Sequence, residues 1–237
     1  MLSSKPVHLS KPLDLSGVSR KKAFLGYFTT KVRKKAISQI TDSAGIVIDV
    51  ATGNGLFLVE IDNTYFHSDK LIGLDLRYPL LQEAKYIAKI NQVSNIEWVN
   101  GNAFYLPFKN NSVGTVLCLN TFINIGKFDD AAGILCELIR ICKPGGKIIF
   151  DIRNRSNLLI ATKYFLHSLK KTFPTTAYKL DQFNTLLPSC GVIIENIAAV
   201  GINAKLLAWD YILTLKKTTK LYGSSNATQD ADGGNAL

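Results

Sequence analysis

No apolar run in the chain is long enough to cross a bilayer. The richest stretch, VGTVLCLNTFINIG, is broken by Thr115, Asn120, Thr121 and Asn124. No C-x-x-C pair occurs, and none of the three histidines sits at ligand spacing, so no metal is expected. The four cysteines, Cys118, Cys136, Cys142 and Cys190, lie inside apolar stretches and read as buried free thiols of a reducing compartment. The start, MLSSKPVHLSKPLDLSGVSRKK, lacks the apolar segment of a secretory signal. Pro6, Pro12 and Asp14 spoil the continuous amphipathic helix of a transit sequence. A soluble, cytoplasmic protein is the expectation.

Acids are scarce at one end only. Residues 1–40 hold nine Lys/Arg against one acid, Asp14, while the other residues hold 19 against 17. The net charge of +10 is therefore mostly that of a basic N-terminal region on a nearly neutral body. With 237 residues, 47% of them hydrophobic, one domain with a sizeable core is expected. The expected layout is a flexible basic arm at 1–19 and a single domain over 20–222. A cap or insert falls near 152–181, and a tail at 223–237 is too polar to offset the entropy of ordering.

Apolar spacing supplies the elements. Val32, Ala36, Ile37 and Ile40 give residues 20–41 a helical face opposite a basic one. Then IVIDV, KLIGLDL, NIEWVN, VGTVLCLN and KIIFD read as strands. Helices lie between the first three and before the last, the best being YPLLQEAKYIAKI and DDAAGILCELIRIC. The helix DQFNTLLPSCG ends on glycine, and VIIENIAAV and AWDYILTLKK close the chain as an antiparallel pair. Strands alternating with helices, and apolar nearly throughout, imply an α/β fold. The architecture expected is a Rossmann-like, mostly parallel seven-stranded sheet with helices on both faces and an antiparallel last strand.

Function is concentrated in IVIDVATGNGLF. Asp49 ends a buried strand, and Gly53-Asn54-Gly55 turns the chain into a helix whose free N–H groups face the same sheet edge. Ligands of open parallel sheets sit beyond that edge. A dinucleotide loop needs a third glycine, where this chain has Leu58, and a phosphate-binding loop needs Gly-Lys-Ser/Thr, which is absent.

The remaining pattern, D-x-x-x-G-x-G with a second acid, Asp75, ending LIGLDL, resembles the class I S-adenosylmethionine-dependent methyltransferases. GNAFYLPFKNNS, LNTFINI and LIRICKPGGKIIF are similar to that family's later segments and follow in the same order. The nearest subgroup is the broad small-molecule one that includes quinone-biosynthesis methyltransferases. The resemblance implies S-adenosyl-L-methionine as cofactor. Ala51, Thr52, Gly53, Asn54 and Gly55 would lie against its methionine part, with Asp49 accepting a hydrogen bond there. Asp75 would take the ribose hydroxyls, a carboxylate offering two acceptors in one plane. Asn102 and Ala103 would meet the adenine by side chain and backbone N–H, Leu76 and Phe104 would sandwich it, and Asn120 would stand beside the departing methyl group. This chain departs from the family in having Ala51 for a glycine, Asn102 for an acid, and Asn124 in place of the usual histidine after strand four.

No catalytic residue is named. Arg153 and Arg155 read either as a solvated loop or as a grip on an acidic substrate group. His67 reads as surface, and His167 as surface or a base in the insert. Tyr27 and Phe28 read as packing of the first helix or part of a lid. Lys-Pro-Gly-Gly at 143–146 reads as a tight turn. The function implied is methyl transfer to a small-molecule, lipid or glycan acceptor by in-line displacement. One alternative is an RNA or protein methyltransferase, with residues 20–35 holding RNA phosphates. Another is an inactive binding protein of the same fold. A peripheral membrane contact is a further use of the basic arm.

Overall fold

The computed structural model describes residues 26–40, 45–62, 68–168, 176–202 and 207–219. The arm at 1–19, the tail at 223–237 and His67 lie outside the described residues. Seven strands run β1 Ile46–Val50, β2 Lys70–Asp75, β3 Ile96–Asn100, β4 Val113–Cys118, β5 Cys142–Arg153, β6 Val192–Gly201 and β7 Ala208–Lys217. The helices are α1 Gly26–Ile37, α2 Leu56–Asp62, α3 Tyr78–Ile90, α4 Phe128–Ile141, α5 Leu158–Ser168 and α6 Leu180–Leu186. The sheet order is β3-β2-β1-β4-β5-β7-β6. Strands β1 to β5 pair in parallel, and β7 runs antiparallel to both β5 and β6. The expected Rossmann-like sheet with an antiparallel last strand is what forms.

Continuous apolar strands put β1 and β4 in the middle, buried on both faces. One core layer packs Ile134, Leu135 and Leu138 of α4 and Phe183 of α6 against Ile148 and Phe150. The other packs Val32 and Ala36 of α1 and Phe57 and Leu58 of α2 against Val47, Leu117 and Ile149. In α4 the acids Asp129 and Asp130 open the helix and Arg140 closes it, matching the helix dipole. The sequence places Pro79 in the first turn of α3, where its missing N–H costs nothing.

Two expectations change. Lys143 to Gly146 do not precede β5 as a turn but lie within it. Val113 pairs with Cys142 and Thr115 with Lys147, so the segment bulges out of the β4–β5 ladder and the strand resumes in register. The cysteines are not all buried: Cys118 and Cys142 are, Cys190 is half-buried, and Cys136 is exposed on α4.

Candidate functional site

Val50 pairs with Leu74, so Asp49 and Asp75 both stand at the carboxyl edge of the sheet, on neighbouring strands. The loop after β1 is tied to the end of β2. Thr52 N–H donates to the Leu74 carbonyl (2.9 Å), and Gly53 N–H donates to Asp75 Oδ2 (2.8 Å). Asp75 Oδ1 accepts from Arg77 N–H (2.8 Å), which also braces the entry to α3. Each carboxylate oxygen therefore keeps lone-pair capacity beyond its backbone bond. Thr52 Oγ1 donates to Asp49 Oδ2 (2.7 Å), and Asn54 Nδ2 donates to Glu83 Oε1 of α3 (3.1 Å).

The two glycines of this loop do different jobs. Gly53 has φ +60°, and a Cβ there would meet no atom within 4 Å. That open space is what a close-approaching ligand needs. Gly55 has φ +72°, and a Cβ there would lie 2.4 Å from the Trp98 ring of β3 and 2.8 Å from Ala84. The room at Gly55 is thus taken by protein, which anchors α2 to the sheet. Ala51 holds φ 59°, a left-handed conformation that costs a non-glycine residue about 1–3 kcal/mol.

Burial pushes the Asp49 carboxyl up to about 7; the Thr52 hydroxyl opposes the shift and the nearby Asp75 charge adds to it. A cation placed against this edge would favour the ionised form of Asp49. At the other side of β2, Leu76 is 65% exposed. Asn100 Nδ2 donates to the Asp75 and Leu76 carbonyls (2.9 and 3.0 Å), fixing the strand end beneath it. Asn102 Oδ1 accepts from Phe104 N–H (3.0 Å), so its amide oxygen shapes its own loop. From α4, Glu137 accepts from Leu106 N–H, and Arg140 donates to the Leu106 and Phe108 carbonyls, which pins the segment after that loop.

A second group lies further along the same edge. Arg153 of β5 and Asp210 of β7 are cross-strand partners and are ion-paired. Arg153 Nη1 also meets Asp151 Oδ2 (2.9 Å), and Nη2 donates to Asn120 Oδ1 (2.8 Å). Asn120, with φ 54°, returns its N–H to Asp151 Oδ1. Both acids and the arginine are almost fully buried. Burial raises Asp151, and the Arg153 charge counters the rise. Because a guanidinium only donates, the contact fixes the amide orientation of Asn120 with its oxygen inward. Burial raises the Tyr164 hydroxyl of α5, and the Arg153 guanidinium beside it counters the rise. Beside it lies a cavity of about 500 Å³ lined by Arg155, Ala161, Thr162, Tyr164, Phe165, Thr176 and Ala177.

Residues 48–150 match the family described as a methyltransferase domain. Over this segment the chain is similar to that family. A demethylmenaquinone methyltransferase of Lactococcus lactis subsp. lactis (strain IL1403) is 29% identical over 143 residues, 60% of this chain and 56% of that protein. One from Oceanobacillus iheyensis is 31% identical over 118 residues, 49% of this chain and 48% of that protein. The chain thus spans about half the length of these relatives. Magnesium protoporphyrin IX methyltransferase of Synechocystis PCC 6803, solved with bound S-adenosylhomocysteine, shares the fold. Its TM-score is 0.64 at 14% identity, covering 89% of this chain and 91% of that one.

In this chain the loop 51–55, Asp49, Asp75 and Leu76 come together at the edge of β1 and β2, and the 102–104 loop follows β3 beside them. Asn120 belongs to the other group, engaged by Arg153. Neither reading of Arg153 holds: it is buried among acids, neither solvated nor free to grip a substrate, because a buried guanidinium needs partners. Arg155 is exposed and lines the cavity. His167 falls in the last turn of α5, and Tyr27 and Phe28 in the first turn of α1. In α1, Arg33 is ion-paired with the buried Glu60 of α2 (2.8 Å), so one charge of the basic segment 20–35 is a structural tie. Asp151 and Asp210 were missed. Their signal was present, since Asp151 and Arg153 share one strand face and AWDYILTL buries an acid in an apolar strand.

Proposed function

We propose that this chain transfers a methyl group from S-adenosyl-L-methionine to a small, largely apolar acceptor. The observation that supports this best is the pair of buried carboxylates on β1 and β2, joined through an open glycine turn. The donor set fits the cofactor. Asp75 keeps acceptor capacity on two oxygens for a vicinal diol, and Gly53 leaves room for the methionine part. Leu76 offers an apolar surface to a purine, and Asn102 to Phe104 offer the other wall. When bound, the cofactor supplies an electrophilic methyl group on a sulfonium. The protein's part is to align the acceptor and exclude water, which can contribute about 7–11 kcal/mol.

The acceptor is assigned to the cavity between α5 and residues 176–177. Its wall is mainly apolar and aromatic, with Arg155 as its charged group. Asn120 is linked to the cavity wall through Arg153, which holds its amide oxygen and stands beside Tyr164. Among the described residues its Nδ2 group makes no hydrogen bond, which leaves a donor for an acceptor oxygen. The demethylmenaquinone methyltransferases that this chain resembles lend weight to an aromatic acceptor.

The test is incubation of cell extract with the protein and cofactor labelled in its methyl group, followed by separation of lipid, small-molecule, RNA and protein fractions. Label in the lipid or small-molecule fraction is the expected result. Label confined to RNA or protein would overturn the acceptor class. Cofactor binding with no labelled product in any fraction would favour a binding protein of the same fold.

A further inference from the structure

Helix α5, LLIATKYFLHS, is apolar on both sides. Ile160, Ala161 and Tyr164 are half-buried and form its inner side. Leu158, Leu159, Phe165 and Leu166 are 78%, 78%, 64% and 55% exposed. At 100° per residue these four, with Thr162 among them, occupy a stripe roughly 120° wide. Scattered exposed leucines are ordinary, but a continuous stripe of large apolar side chains marks an interaction surface. Exposed Leu207 adjoins the start of the helix, because Asn157 Nδ2 donates to its carbonyl (3.1 Å).

The charge around the stripe selects what covers it. Between Asp151 and Asp181 the chain carries Arg153, Arg155, Lys163, Lys170, Lys171 and Lys179 and no acid. Of these Arg155, Lys163 and Lys179 are exposed, and Lys163 flanks the stripe on α5 itself. A second copy packed on this face would bring like charges together. A nucleic acid would meet the cations but leave four apolar side chains in water. An anionic bilayer satisfies both features, taking leucine and phenylalanine into its acyl boundary and lysine at its headgroups.

We propose that α5 is an interfacial helix that seats the protein on an anionic membrane. Leu158, Leu159, Phe165 and Leu166 enter the outer part of the leaflet, and Lys163 and Arg155 stay at headgroup level. Thr162 and Phe165 belong both to this stripe and to the wall of the 500 Å³ cavity. When α5 lies on the membrane, that side of the cavity faces lipid, and an apolar acceptor can enter without crossing water. This last consequence rests on the methyl-transfer reading; the lipid contact does not.

The full chain and its Leu159→Glu/Leu166→Glu variant are floated with vesicles of equimolar phosphatidylcholine and phosphatidylglycerol, and with phosphatidylcholine alone. The wild type is expected to float with the anionic vesicles and to bind less to the neutral ones or in high salt. The double variant is expected to bind at least about tenfold more weakly. Its melting temperature and S-adenosylmethionine affinity should not change, since both positions are exposed and remote from Asp75. Lys163→Gln should weaken only the binding to anionic vesicles, by about fivefold. A wild type that floats with neither vesicle overturns the proposal. So does a double variant that floats like the wild type, which would move lipid contact to residues 1–25. A wild-type dimer that the double variant makes monomeric, with vesicle binding unchanged, would assign the stripe to a second copy instead. Vesicle binding that depends on 159 and 166, in a protein that methylates nothing, leaves this proposal standing and removes the methyl-transfer reading.

Discussion

The two ends of one sheet edge handle buried acids in opposite ways. At β1 and β2, Asp49 and Asp75 have neutral partners: a hydroxyl and two backbone N–H groups, with Arg77 only distantly placed at 3.9 Å. At β4, β5 and β7, Asp151 and Asp210 share the Arg153 guanidinium, which offsets one of their two charges. Acids held by neutral donors retain their full negative field, which suits a cationic ligand. Acids closed upon an arginine have spent part of that field on it and act as a rigid frame. Burial of a carboxylate therefore does not itself mark a site; the charge of its partners does.

That contrast is broken most severely by removing the arginine. Arg153→Met leaves two acids buried without a counter-charge and should cost about 3–5 kcal/mol, read as a large drop in melting temperature. Arg153→Met combined with Asp151→Asn and Asp210→Asn should recover much of the loss. If the single variant melts like the wild type, the frame is not a structural unit.

The glycine turn sharpens the same contrast at the cofactor end. Gly55→Ala drives a Cβ into the Trp98 ring and should cost about 2–4 kcal/mol of stability. Gly53→Ala meets no atom and should cost only about 1–2 kcal/mol, its backbone strain alone. Cofactor binding should respond in the reverse order, with Gly53→Ala losing affinity although it is the milder change in the fold. Denaturant unfolding and calorimetry on the two variants decide it. Equal stability losses would contradict the assignment of Gly55 to packing.

Much of the cofactor end was legible because it is local. A strand-ending acid, a turn and the next strand-ending acid lie within 27 residues, Asp49 to Asp75, and each obeys a short-range rule. The use of Gly55 was not legible, since Trp98 reaches it from β3 across the sheet. The frame was harder still: Arg153 and Asp210 are 57 positions apart and meet only through the β5–β7 ladder. Lys-Pro-Gly-Gly misled in the other direction, as turn chemistry embedded in a strand gives a bulge. The stripe on α5 was hidden because a helix apolar on two faces shows little periodicity, and only its packing shows which side is left over.

A smaller effect follows from Asp49. Its carboxyl rises from 3.8 when unfolded to about 7 when folded. The folded chain therefore binds the extra proton between those values, and stability falls as pH rises through that window. Asp49→Asn should flatten this part of the slope, while the upward shift of Asp151 leaves some slope behind. Affinity for the cationic cofactor should increase with pH over the same range, with proton release on binding. A cofactor affinity that falls as pH approaches 7 would count against Asp49 facing a positive ligand.

The most direct test is a calorimetric titration of S-adenosylmethionine into the wild type and Asp75→Ala at neutral pH. The variant loses a charged acceptor and its tie to the Gly53 N–H, worth about 1.5–3 kcal/mol per charged hydrogen bond, so affinity should fall by about 10- to 100-fold or more. Saturable one-site binding to the wild type together with that loss is the predicted result. Wild-type protein that takes up no cofactor, or a variant that binds it as tightly as the wild type, would contradict the placement of the cofactor at the β1–β2 edge.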